Sequence, residues 1–215
     1  MTVQRRHRKE VFMEGGRRAP RLAVLAGLGL LHLAAYLIVT RATSIRPAAA
    51  LWHFALPLDA SIPHLPWTWP LYWIAYPFIA IGGGAALLRL DPDRFRWAAA
   101  AIAVMTVVGA AIQLALPARA PWPAHPAPAQ RMFHSSAIVL PYATLPSMHV
   151  AYTVLVAGLV RSVSRAAVVR SLTLVVPVLV ALATLTLKEH VVLDAVTGAL
   201  LGGLTLAWWA RRPVP

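Results

Sequence analysis

Apolar residues in this chain neither alternate nor form narrow helical stripes; they run on for the length of a membrane crossing. About 20 consecutive apolar residues carry an α-helix across the hydrocarbon core. Six stretches approach that length: Leu22–Thr40, Trp69–Leu88, Ala98–Leu116, Ser147–Val160, Leu172–Leu187 and Val191–Ala210. The fourth is the shortest, and snorkelling of Arg161 extends it. The first is longer than the apolar part of a signal peptide, and the only small-residue cluster, Ala48–Ala50, lies well past its end, so it reads as a retained span. Trp67, Trp69, Trp97, Trp208 and Trp209 stand at the ends of these stretches, where amphipathic rings form an interfacial belt. Two long connections, roughly residues 41–68 and 117–146, are proline-rich and predict short turns or a re-entrant piece. No span is expected to be broken by paired Gly or Pro at mid-depth. The pattern predicts an all-α membrane protein, a six-transmembrane-helix bundle, with a basic tail over residues 1–20 and one membrane domain over residues 21–212.

Composition agrees and excludes other classes. The 215 residues are 59% hydrophobic and 13% charged, whereas a soluble domain carries about 45–50% and about 25%. A soluble enzyme and a disordered tail are both excluded by that imbalance. Cysteine is absent, which removes a disulfide scaffold, a zinc–thiolate site and an iron–sulfur cluster. A net charge of +13 would suit nucleic acid, but the basic residues lie between apolar runs rather than on one polar face. The expected partner is therefore the lipid bilayer and not nucleic acid. Alternate connections divide the cations unevenly. Fifteen fall in the N-terminal tail, the second and fourth connections and the C-terminus; Arg41, Arg46, Arg119, Arg131 and Lys188 are the five on the other side. The positive-inside rule then places both termini in the cytoplasm.

Ionisable groups near membrane depth are costly and mark function by default. His149 sits where the second long connection meets the fourth span, and His190 and Asp194 open the sixth. All three fall on the same membrane face in this topology. His190 and Asp194 are four residues apart, so they share one helical face, and a carboxylate beside an imidazole fixes its tautomer. The ridge continues through Gly198 and Gly202, where small residues let another helix approach. Pro146-Ser147 predicts a helix start with Ser147 as N-cap, and exposed N–H groups there favour an anion. Arg119 and Lys188 add positive charge on that face. Two imidazoles, a carboxylate, a helix N-terminus and two cations suit a phosphate ester: one histidine attacks phosphorus and the other protonates the departing oxygen. His32, within the first span, is expected to pack inside the bundle, and His134 and Ser135 to lie in a solvated loop.

At these residues the sequence resembles the type 2 phosphatidic acid phosphatase, or lipid phosphate phosphatase, superfamily. Leu145-Pro146-Ser147-Met148-His149 is similar to its Pro-Ser-x-His motif, and His190-Val191-Val192-Leu193-Asp194 to its His-x-x-x-Asp motif. Pro117-Ala118-Arg119-Ala120-Pro121-Trp122 resembles the first motif of the branch containing inositol phosphorylceramide synthase. The stretch from Asp59 to Pro66 is similar to that branch's Asp-x-x-Ile-Pro-Phe-x-Pro element. The resemblance covers about residues 55–205. It implies a metal-independent, cofactor-free membrane enzyme with its site at the non-cytoplasmic interface. It further implies His190 as the nucleophile forming a phospho-histidine, Asp194 as its orienting group, and His149 as general acid and then base. Ser147, Arg119 and Lys188 would bind the phosphate of a membrane lipid substrate. The sequence departs from the pattern in two places: the first motif Lys-x6-Arg-Pro is missing, and the arginine expected six residues before the nucleophile is Thr184.

The leading expectation is a lipid phosphate phosphatase in the cell membrane. The alternative is a phosphotransferase that moves a phosphoryl or phospho-headgroup unit, such as phosphoinositol or a phospho-sugar, to an alcohol acceptor. Two readings from other classes stand beside them. His149, His190 and Asp194 could make a two-histidine, one-carboxylate metal site, which the neighbouring cations oppose. A transporter would place polar groups at mid-depth, whereas these lie near one surface.

Overall fold

A computed structural model describes residues 3–120, 123, 126, 131 and 144–213. Pro121 and Trp122 of the first-motif resemblance, and the loop residues His134 and Ser135, lie outside the described residues. Among the described residues the chain is helical, apart from one isolated parallel bridge between Trp52 and Ala118 that ties the two long connections together.

Helix α1 runs Val3–Ser44 and carries the apolar span Ala19–Ser44. A short α2, Pro57–Ser61, lies in the first long connection. The second span, Pro66–Arg89, is assembled from pieces: α3 (Trp69–Trp73), α4 (Ala75–Pro77), a π-helical segment Phe78–Gly83 and α5 (Gly84–Arg89). Helices α6 (Pro92–Ala115), α7 (Met148–Val163), α8 (Ala167–Thr186) and α9 (Val192–Ala210) complete the bundle. Five helices are long and apolar enough to cross a membrane, and α7 is the shorter apolar sixth. Hydropathy therefore located every member of this all-α membrane bundle.

It did not see the interruption of the second span. Pro77 offers no N–H to the regular ladder, and the next turn widens to π geometry over Phe78–Gly83. Gly83 there lies against α7, where an added Cβ would come within 3.0 Å of Val156. The backbone stays helical through this segment rather than unwound.

The core fills the space between α5, α6 and α7, with Leu87, Phe95, Met105, Leu155 and Leu159 buried together. Trp209 joins it and corrects its assignment to the interfacial belt. It is 4% exposed, its indole N–H donates to the Arg94 carbonyl at 3.2 Å, and the Arg94 guanidinium lies 4.9 Å over its ring. Trp208 and Trp97 behave as belt residues do, meeting edge to face with Arg212 against both rings. Arg21 binds the α5–α6 turn, donating to the carbonyls of Leu88 and Leu90 at 3.1 and 2.9 Å. Arg161 and Arg170 cross-bond where α7 gives way to α8. These arginines occupy the end of the bundle opposite the start of α7 and α9.

Candidate active site

The site is built on a seam between α7 and α9 that has almost no side-chain layer. A methyl group on Gly198 would overlap the Ser147 carbonyl oxygen, and one on Gly202 would overlap that of Ala151. Ser147 and Ala151 on one helix, and Gly198 and Gly202 on the other, each sit four apart, so two small-residue ridges meet. The Ser147 N–H also donates to the Asp194 carbonyl at 2.9 Å, a backbone bond from the start of α7 to the first turn of α9. Gln113 at the end of α6 donates to the Pro146 carbonyl at 3.1 Å, fixing the approach to α7.

This seam brings together the two histidines, which stand 41 positions apart in sequence by their numbering. Their ring centroids are 5.9 Å apart and their planes are inclined at 65°. His190 Nδ1 lies 3.3 Å from Asp194 Oδ2, and the Val191 N–H donates to the same oxygen at 3.1 Å. An ionised carboxylate only accepts, so it holds the proton on Nδ1 and leaves Nε2 with its lone pair. His190, at 7% exposure, and Asp194, at 1%, are both buried. His190 stands just before the N-cap of α9, so the pair meets by the Asp194 side chain reaching back from the first turn rather than across a shared helical face.

The turn that presents His190 is closed by backbone bonds. Leu187 caps α8; the Lys188 N–H donates to Leu185 and the Glu189 N–H reaches back to Thr184. That pair of bonds with a left-handed residue between them is a Schellman ending, and Lys188 takes the left-handed position at φ 60°. Such a position normally favours glycine. Here the lysine ammonium donates to the carbonyls of Asp59 and Ile62 at 2.9 and 2.6 Å. Asp59 completes the tie: its Oδ1 accepts from the Val192 N–H at 2.8 Å and its Oδ2 from the Leu56 N–H at 2.7 Å. A side chain from α2 therefore satisfies an orphan N–H at the start of α9. Lys188 and Asp59 bracket His190 from both sides along the chain.

His149 has different company. Its Nε2 lies 3.0 Å from the Tyr72 hydroxyl and 3.3 Å from that of Tyr76. The two phenols are one helical turn apart on the second span, and both rings pack on the imidazole, at 4.8 and 5.7 Å between centroids. Ser147 occupies the N-cap position of α7, as its sequence context predicts, but its hydroxyl does not cap. The Ser147 side chain is fully buried and its Oγ has no hydrogen-bond partner; Asp194 Oδ1 is likewise without one. An unsatisfied buried polar atom costs roughly 1–3 kcal/mol.

Of the six residues singled out in the sequence, His149, His190, Asp194 and Ser147 meet at one point. Lys188 is adjacent in chain, but its ammonium is committed to two loop carbonyls. Arg119 is exposed, and its backbone N–H donates to the Trp52 carbonyl at 3.3 Å. Among the described residues, no group of three His, Cys, Asp or Glu side chains is spaced to hold a metal ion. Sequence reasoning overlooked Tyr72, Tyr76 and the part played by Asp59. Tyr72 and Tyr76 had a signal, an i, i+4 pair of phenols, but it lies in an aromatic-rich stretch that reads as belt.

Residues 51–208 match the family model described as the PAP2 superfamily. The matched segment begins just before α2 and ends within α9, so it encloses every group of the site. Comparison with curated proteins and with solved structures returns no match.

Proposed function

We propose that this chain, which belongs to the PAP2 superfamily, removes phosphate from a membrane lipid through a phospho-histidine on His190. Membership supports a lipid enzyme of the phosphatase or phosphotransferase type. The observation that carries the finer reading is the pair of imidazoles at 5.9 Å, one buried and one half-buried, with opposite partners, a carboxylate on one and phenols on the other. His190 Nε2 attacks phosphorus while the bond from phosphorus to the lipid oxygen breaks, and the His149 proton passes to that oxygen. Water then attacks the phosphoryl group, gives a proton to His149, and releases phosphate as the P–N bond breaks. Phosphoryl transition states spread charge over the peripheral oxygens, so donors matter more than covalent help. Ser147 Oγ and the first N–H groups of α7 are such donors, and Arg119 adds positive charge from the connecting strap. Lys188 contributes by holding the α8–α9 turn. The basic residues at the far end of the bundle support a cytoplasmic location for that end, which puts the histidines on the non-cytoplasmic side.

The test uses purified full chain with a panel of lipid phosphates and phosphate detection. The unaltered protein releases phosphate and, quenched in base, yields an acid-labile phosphoprotein; His190→Ala does neither while keeping its melting temperature. Turnover retained by His190→Ala overturns the nucleophile assignment. An alcohol acceptor added to the same assay diverts phosphate into an ester if the chain is a transferase.

A further inference from the structure

The two histidines differ in what their partners can do with a proton. Asp194 can only accept, so His190 is locked with hydrogen on Nδ1. A phenol both donates and accepts. Tyr72 is 5% exposed and Tyr76 36%, and both reach the same nitrogen of His149. From this geometry we infer that Tyr72 and Tyr76 are positioning residues that make His149 reversible, able to lose and regain a proton at Nε2 without losing its place.

The inference rests on the reaction assigned above and supplies a proton ledger for it. With His149 protonated, Nε2–H donates to the phenol oxygens. The lipid oxygen takes the place of Tyr76, whose contact is the longer and whose side chain is the more exposed. As the P–O bond breaks, the Nε2 proton moves to the departing oxygen, and the Tyr72 hydroxyl rotates to donate to the now neutral nitrogen. In the second half-reaction the water proton goes to Nε2, and Tyr72 rotates back to accept. No proton is lost and neither tyrosine ionises. A carboxylate in place of these phenols would hold the imidazolium and oppose the transfer; a methyl group would leave the neutral ring without an orienting bond.

The backbone explains why two phenols reach one nitrogen. Tyr72 lies in α3 and Tyr76 in α4, just before the π-helical segment, and the intervening turn is closed by the Ile74 N–H to Pro70 bond at 3.2 Å. Tyr72 is further fixed by Trp69, stacked at 5.5 Å.

The experiment compares, in a single turnover, the release of the alcohol from an alkyl phosphate with that of nitrophenolate from 4-nitrophenyl phosphate, whose departing oxygen needs no proton; both are read before water enters, so the base role of His149 does not contribute. It uses the full chain carrying Tyr72→Phe, Tyr76→Phe, His149→Ala or Tyr72→Phe with His149→Ala. General acid–base catalysis contributes about 10²–10⁴-fold, and misorienting the acid forfeits part of it. Tyr72→Phe is therefore expected to lower the single-turnover rate on the alkyl phosphate by on the order of tenfold, with substrate affinity and the nitrophenolate release rate nearly unchanged. The double variant should be no slower than His149→Ala. Tyr76→Phe should show the same selectivity more weakly. If His149→Ala spares the nitrophenyl ester but Tyr72→Phe slows both substrates equally, the tyrosine assignment is overturned and the acid role of His149 stands. If His149→Ala slows both equally, the acid role itself falls, and the tyrosine assignment with it.

Discussion

Histidine meets tyrosine in two places in this bundle. At the start of α7, His149 Nε2 faces Tyr72 and Tyr76, with His190 on its other side. One turn deeper on the same helix, Tyr152 faces His32 of α1, with the hydroxyl 3.2 Å from Nδ1 and the rings edge to face at 5.0 Å. The second contact is closed on itself: the Tyr152 hydroxyl also pairs with Thr106 of α6, whose own hydroxyl donates to the Ile102 carbonyl. It links three helices through the Tyr152 hydroxyl. The first contact sits beside a buried serine hydroxyl and a carboxylate oxygen that have no partner. The same residue pair is an interhelical tie in one place and part of the proposed reactive centre in the other. What separates them is the second imidazole with its acidic neighbour, and the polar atoms left over.

That contrast is broken most severely by moving α9 away from α7. Gly198→Leu would force the Ser147 backbone outward and part His149 from His190 while leaving the His32–Tyr152 contact in place. A displacement of about 1 Å at a reacting centre costs on the order of 100-fold, so phosphate release should fall at least that far. Overpacking should lower stability by roughly 1–3 kcal/mol, read as a lower melting temperature in detergent. A Gly198→Leu variant with full activity would mean that the seam does not set the distance between the rings.

An intermediate effect is expected from the clamp that holds His190. Lys188→Gly removes the ammonium from the Asp59 and Ile62 carbonyls but relieves the left-handed backbone, worth about 1–2 kcal/mol. The melting temperature should therefore change little while phosphate release falls roughly tenfold, in line with a lost positioning contact. Asp59→Ala should reduce both, because it also frees the Val192 and Leu56 N–H groups. Equal activity in Lys188→Gly and the unaltered chain would reduce the clamp to a structural staple.

The smallest effect on activity belongs to Tyr152→Phe. Losing its hydrogen bonds should cost about 1 kcal/mol, seen in the melting curve, with phosphate release kept to within about twofold. A selective loss on alkyl phosphates in that variant would erase the distinction between the two contacts.

Much of the architecture could be read from the residues in order, because a bilayer imposes a length and a composition on each helix. The six apolar stretches follow from run length and hydropathy, and the nearness of His190 to Asp194 and the Gly198–Gly202 ridge from four-residue spacing. Four features did not. The π-helical turn depends on how Pro77 and the glycines after it settle against Val156. Trp209 is buried in the core against Arg94, which is far away in sequence. Asp59 caps a helix whose first N–H lies 133 residues further on, and no periodicity spans that distance. The phenols at His149 were visible as residues but hidden among tryptophans with the same spacing and a simpler explanation.

The seam of glycines has one more consequence. Where two helices touch through bare main chain, there are no rotamers to rearrange, so that wall behaves as a rigid plate carrying both imidazoles. A lipid of the kind proposed would find its room on the side of Tyr76, which is 36% exposed and stands just before the π-helical turn. In this molecule, stiffness belongs to the jaw that holds the reacting groups and give belongs to the jaw opposite.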